Sequence, residues 1–80
     1  MVYTDRFIWA GTTCGHLSTD ASFDELHRFA QAIGLRREWF QADKRVPHYD
    51  LIGDTLYHKA IKTGAIPCGR KYIIQNGLRL

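Results

Sequence analysis

Five side chains of types that hold metal ions and move protons are distributed through the 80 residues: Asp5, His16, Asp20, His48 and Asp50. Two imidazoles with two or three carboxylates can bind a divalent metal, activate a water molecule or handle a phosphate. Within this set, His48, Asp50 and His16 are the candidates for catalysis. Asp5, Asp20, His27 and Arg70 are the candidates for ligand contact. The plainer account is that the three aspartates cap loops and the histidines are satisfied by backbone carbonyls. The spacings are irregular, so only closeness in three dimensions separates a site from a set of caps.

Other groupings carry less. Cys14, His16, His48 and Cys68 include both ligand types that zinc prefers. However, Cys14-Gly15-His16 lacks the spacing of structural zinc sites, and Cys68 stands alone. A free cysteine is more simply a small buried hydrophobe, and no local signature marks a Cys–His nucleophile pair. Gly69-Arg70-Lys71 could meet a phosphate at a helix start, with Arg36, Arg37, Lys44 and Arg45 as outer charges. The spacing of a phosphate-binding glycine loop is absent, so a solvated basic face is the simpler reading. Trp9, Trp39 and Phe40 could stack on bases, but their size favours core packing.

The positioning elements follow from local patterns. Val2-Tyr3-Thr4 is rich in strand-forming residues and predicts a strand with Asp5 at its end. Ala10 to Thr13 reads as a loop, and His16–Ser18 as a second strand. If that strand is parallel to the first, it carries His16 and Asp20 to the same edge as Asp5. Ser22 with Glu25 forms a capping box, and Phe23, Leu26, Phe29, Ala30 and Ile33 recur at helical spacing, predicting a helix over Phe23–Ile33. Gly34 ends it, with Leu35 folding back on Ala30. His27 borders the apolar stripe of this helix.

Trp39 and Phe40 read as core anchors, and Asp43-Lys44-Arg45 as a solvated turn. His48–Leu51 is the third expected strand. Asp54 is the expected N-cap of a helix over Thr55–Thr63 that closes at Gly64. Ala65–Pro67 is a brief edge strand because of its proline. Residues 69 to 80 fit either a short helix stopped at Gly77 or a hairpin at Asn76-Gly77, with the helix favoured.

Composition bounds the function. With 45% hydrophobic and 24% charged residues the chain fits one globular domain over residues 1–80. A domain this short buries only about 60% of the surface of its unfolded chain, which makes a homodimer a reasonable way to cover more. The net charge of +3 comes from dispersed basic residues, which permits an anionic small molecule or nucleotide and only weakly supports nucleic acid. Two cysteines and no signal-like N-terminus predict a reducing cytoplasm. No apolar run approaches membrane-spanning length.

Gly15-His16-Leu17, Asp20, Asp24-Glu25-Leu26-His27-Arg28-Phe29-Ala30, Gly34-Leu35, Trp39-Phe40-Gln41, His48-Tyr49-Asp50 and Gly64-Ala65 occur in an order that resembles the bacterial and phage domain-of-unknown-function family 4031. The resemblance runs from Tyr3 to about Arg70. It implies an Asp closing the first strand, matched by Asp5, and a Gly-Arg start to the last helix, matched by Gly69-Arg70. Residues 42 to 47 lengthen the loop before His48 relative to that pattern. The resemblance implies an architecture and a short list of shared polar residues, not a reaction; together with the expected reducing cytoplasm, it points to a bacterium or a phage-infected host.

The expectation is therefore an α/β or α+β domain with a short, mostly parallel sheet of about four strands and two or three helices. Its polar strand-end site would bind or process a phosphorylated small molecule or nucleotide, a chemistry that a divalent metal could assist, with no cofactor identified by the sequence. The rival expectation is a non-catalytic module that binds a host protein or nucleic acid.

Overall fold

A computed structural model describes residues 1–80. Strand β1 (Val2–Thr4) and strand β2 (Phe7–Trp9) lie end to end along one side of β3 (Thr12–Thr19), both antiparallel to it. Their register is continuous: Val2 faces Thr19 at one end and Trp9 faces Thr12 at the other. The chain thus makes a single hairpin that reverses at Ala10-Gly11, two residues with φ of 52° and 76°. Positive φ at both centres suits the two-residue turn that matches strand twist.

On the other side of β3 runs β4 (Tyr49–Ile52), also antiparallel. Only β5 (Ile66–Pro67) is parallel, pairing with β1 at the edge that its proline tolerates. The sheet is therefore mixed, and the expectation of a mostly parallel sheet is corrected. The loop expected over Ala10–Thr13 is instead a tight turn and the start of β3. A turn this short can only join antiparallel strands, because a parallel pair needs a long crossover.

Helices α1 (Phe23–Ala32) and α2 (Asp54–Thr63) cover one face of this sheet. Leu17, Tyr49 and Leu51 project from that face to meet Leu26 and Ala30 of α1 and Tyr57 and Ala60 of α2, all buried. Removing each of the leucines from water contributes roughly 1.5–3 kcal/mol. Both helices end as expected. The amides of Leu35 and Gly34 bond Ala30 and Gln31, and those of Ala65 and Gly64 bond Ala60 and Ile61. The glycines supply the left-handed turn, at φ of 89° and 123°.

The start of α1 is half a capping box. Ser22 Oγ accepts the Glu25 amide, while the Glu25 carboxylate turns to the terminal ammonium of Met1 and to Thr19 Oγ1. At α2 the cap is Gly53, and Asp54 has a different task from the expected one. Its Oδ1 accepts the Thr13 amide at 2.7 Å while its own amide donates to Thr12 Oγ1, tying the helix to β3.

Helix α3 (Arg70–Asn76) takes the last segment, so the helix and not the hairpin forms there. Ile73 anchors it, buried beside Val46. Trp39 is not a core anchor: it closes a short 3-10 turn, Arg37–Trp39, and is 50% exposed with the Arg36 guanidinium over its ring. Phe40 alone turns inward, packing against Phe23, His27 and Tyr49. No helix is long and apolar enough to cross a membrane.

Candidate functional site

Side chains on paired residues share a face of a sheet, and the register therefore reads out in rows. His16 pairs with Asp50 across β3 and β4, and the continuous register of the hairpin sets Asp5 opposite His16 on the other flank. Asp5, His16 and Asp50 thus form one row across three strands, on the face away from α1 and α2. His48, two residues from Asp50, enters the same face from the next row, held by a bridge to Gln41.

The row depends on a break in the ladder. At Asp5-Arg6 the hairpin is not paired through its backbone, and the Asp5 carboxylate stands in for the missing carbonyl. Its Oδ1 accepts the His16 amide at 2.6 Å and its Oδ2 the His16 ring Nδ1 at 2.9 Å. The Thr4 hydroxyl and the Asp5 main chain press against Gly15 to do this. A Cβ there would stand 2.4 Å from Thr4 Oγ1 and 2.5 Å from the Asp5 carbonyl oxygen, so only glycine fits.

Three ligand atoms converge. His16, His48 and Asp50 each offer one, all within 4.8 Å of one another. Each is aimed by a partner. The Asp5 carboxylate occupies Nδ1 of His16 and leaves Nε2. His48 Nδ1 donates to the Val46 carbonyl at 2.8 Å, which also leaves Nε2. Asp50 Oδ2 accepts the Gln41 side-chain amide at 2.6 Å and leaves Oδ1, 3.3 Å from His48 Nε2. A carbonyl can only accept, so a neutral His48 ring carries its proton on Nδ1 and presents a lone pair to Asp50. Two acceptors that close repel unless a cation, a proton or a metal ion, lies on them. The gap matches the roughly 3.3 Å between ligands that bonds of about 2.0–2.1 Å impose around a tetrahedral ion.

Electrostatics follow the bonding. Burial pushes the Asp5 carboxyl up, but the ring and amide bonds from His16, with the charges of His16 and Arg70, outweigh it and hold the carboxyl below its usual range. The same bond to Asp5 raises His16 against the opposing effect of its own burial. The ring of Phe7 stacks on His16 at 4.8 Å, and His48 meets His16 edge-on at 4.9 Å. A cleft of about 300 Å³ opens beside the cluster, where Lys44, Arg45 and Arg70 face Asp5, His16 and His48. A second, apolar groove of about 590 Å³ reaches Asp50 from the other side, lined by Trp39, Phe40, Ile52 and Leu56.

Of the residues singled out from the sequence, Asp5, His16, His48, Asp50 and Arg70 lie together. Asp20 does not: it accepts the Met1 ammonium at 2.9 Å and the Tyr3 hydroxyl at 3.1 Å, at the far end of β1. His27 lies on the opposite face, bonded to Tyr49. Neither cysteine joins the converging group, because Cys14 is buried in the adjacent row, between Phe7 and Ile52, and Cys68 sits past β5, its thiol pushed up by burial and then by Asp5. Sequence reasoning missed Gln41, Phe7 and Gly15. Gly15 stands next to His16, but the need for glycine there arises only from the Thr4 hydroxyl and the Asp5 carbonyl pressed against it.

Among curated proteins, an uncharacterised protein of Bacillus subtilis, YneQ, is 40% identical over 35 residues, which is 44% of this chain and 35% of that protein. The chain therefore spans about a third of the length of the relative it matches. No solved structure shows significant similarity. The model of a family described as a protein of unknown function, DUF4031, matches residues 2–79, and the chain belongs to that family.

Proposed function

We propose that His16, His48 and Asp50 form a two-histidine, one-carboxylate centre for a divalent metal ion that binds and processes a phosphorylated small molecule or nucleotide. The observation that supports this reading is the aiming of every ligand by a second group: Asp5 on His16, the Val46 carbonyl on His48, Gln41 on Asp50. Metal-binding imidazoles are typically held by a carboxylate or carbonyl on their other nitrogen, which fixes the tautomer and raises basicity. Three protein ligands leave coordination positions for water and substrate. Mixed nitrogen and oxygen donors suit zinc, manganese or iron.

The bound ion would polarise a phosphoryl oxygen and acidify a water. The chain's own residues do the rest. Arg70, Lys44 and Arg45 attract and orient the anion in the basic cleft. Asp5 holds the His16 ring in place, and Trp39 and Ile52 offer an apolar surface beside Asp50 for the rest of the substrate. The test is thermal denaturation with Zn²⁺, Mn²⁺ or Fe²⁺, and then with a panel of phosphate monoesters and nucleotides. A metal-dependent rise in melting temperature that His48→Ala removes supports the reading. Identical responses of wild type and variant to every ion sink it.

A second reading has its own observation. Trp9 and Ile52 are 60% and 47% exposed, and with Phe7 they form the rows next to the ionisable one on the same open face. Exposed apolar clusters mark interaction surfaces. A module that binds a protein or nucleic acid through this face would lose its partner with Trp9→Ala and keep it with His48→Ala.

A further inference from the structure

We propose that the cleft between α1 and the 3-10 turn is a second, metal-independent site, built to take a phosphate group, free or carried on a small molecule. This cleft encloses about 560 Å³ and is lined by Arg28, Arg36 and Arg37, with Asp24 as its one acidic residue and His27 and Tyr49 at its floor. It lies on the helix-covered side of β4, away from the His16–His48–Asp50 group, and shares none of its residues.

Three features point to an oxyanion. The first is unbalanced charge: Arg36 is paired with Glu38, whereas Arg28 and Arg37 have no carboxylate within ion-pair distance. Both guanidiniums are exposed to the cleft, and a planar fork of donors matches phosphate geometry.

The second is the dyad at the floor. Tyr49 is 1% exposed, yet its hydroxyl reaches His27 Nδ1 at 2.8 Å. Burial lowers His27, and Arg37 adds to that lowering, so the imidazole beside the phenol is neutral. The phenol has no hydrogen-bond partner other than His27, and with Nδ1 as the acceptor the bond runs from Tyr49 to His27. That fixes the imidazole proton on Nε2, where it is a donor. The ring is held between Phe40 and Tyr49 at 4.6 and 5.9 Å.

The third is that the lining offers donors almost throughout: guanidiniums, an imidazole N–H and the Gln31 amide, with one carboxylate to repel an anion. Such a lining leaves its donors to water when empty and pairs them when a phosphate arrives.

The experiment titrates the ¹⁵N-histidine-labelled full chain with inorganic phosphate, and separately with glycerol 3-phosphate, in the presence of EDTA. The expected result is saturable movement of the His27 signals. Binding should weaken at least about tenfold in the Arg28→Gln/Arg37→Gln double variant, the cost of removing charged donors to an anion. Both arginines are on the surface, so the double variant should keep the wild-type melting temperature and its response to metal ions. Tighter binding of glycerol 3-phosphate supports a phosphate carried on a small molecule, and equal binding supports the free ion. Absence of binding, unchanged affinity in the double variant, or movement confined to His16 and His48 would each overturn the proposal. None of those results bears on the metal centre, whose failure is read from metal ions alone.

Discussion

On the open side of the sheet, His16 leans on a buried carboxylate and its proton is held more tightly than in water. On the helix-covered side, one residue away through Tyr49, His27 leans on a phenol and loses its proton more readily. Both rings are partly buried, so burial alone does not set the sign. What differs is the partner: an anion opposite an imidazole repays the desolvation of its charge, whereas a neutral hydroxyl among aromatic rings does not. The open side therefore suits cation chemistry, with carboxylates and lone pairs converging. The covered side suits anion capture, with donors converging around a neutral ring.

Ways to break this contrast can be ranked by expected effect. Gly15→Ala should be the most damaging. The new methyl would collide with Thr4 and the Asp5 carbonyl, costing about 3 kcal/mol of stability and displacing Asp5 from His16. Urea denaturation checks the loss, and the His16 titration midpoint should fall in the same variant.

Next, Asp5→Asn keeps the shape and removes the charge. Metal affinity should drop roughly 10–100-fold, as it does when the group orienting a ligand is lost. Calorimetric titration with Zn²⁺ measures this, and an unchanged affinity would detach Asp5 from the centre. Without metal, the pH dependence has a determined sign. His16 is raised in the fold, so its pairing stabilises below the unfolded histidine value near 6.5 and fades as pH rises through the folded value. Asp5 is lowered, so its share is present above its unfolded value and fades as pH falls through the folded one. Asp5→Asn should flatten the stability profile on both flanks.

Tyr49→Phe tests the covered side. Losing one buried hydrogen bond should cost about 1 kcal/mol. It should also free the His27 tautomer, seen as a change in its ring nitrogen shifts, without altering metal binding.

The smallest effect is expected from His27→Gln. His27 is lowered in the fold, so the unfolded chain binds the extra proton first, and wild-type stability declines as pH falls below about 6.5. The variant should lose that part of the decline. Melting curves at successive pH values measure it, and a steeper acid decline in the variant would contradict the assigned sign.

Much of the local structure was legible because it is set by neighbours in sequence. The stripe of Phe23, Leu26 and Ala30, the glycines at 34 and 64, and the proline at an edge strand each act within a turn or two of chain. The positions of His16 and Asp50 as polar residues of strands, and of His48 just before β4, were legible for the same reason.

Their assembly was not. The expected route to a site ran through parallel strands with polar ends, and the actual route is a cross-strand row in antiparallel strands. Strand direction hung on Ala10-Gly11, where an alanine at φ of 52° hides the turn that Asn-Gly would have announced. Asp20 read like Asp5 in sequence, but the register carries it to the far end of β1, where the Met1 ammonium takes it up. Trp39 read as core by its size, and the 3-10 turn that leaves it half exposed is decided by Phe40 taking the space against Tyr49 and Phe23.

By itself, then, the sequence determined two main helices, their caps, the strand-forming segments and a short list of residues capable of chemistry, because these depend on propensity and period. Tertiary structure alone decided which of those residues meet. A row such as Asp5–His16–Asp50 joins positions 11 and 34 residues apart through register and one glycine-permitted backbone contact, neither of which leaves a local trace.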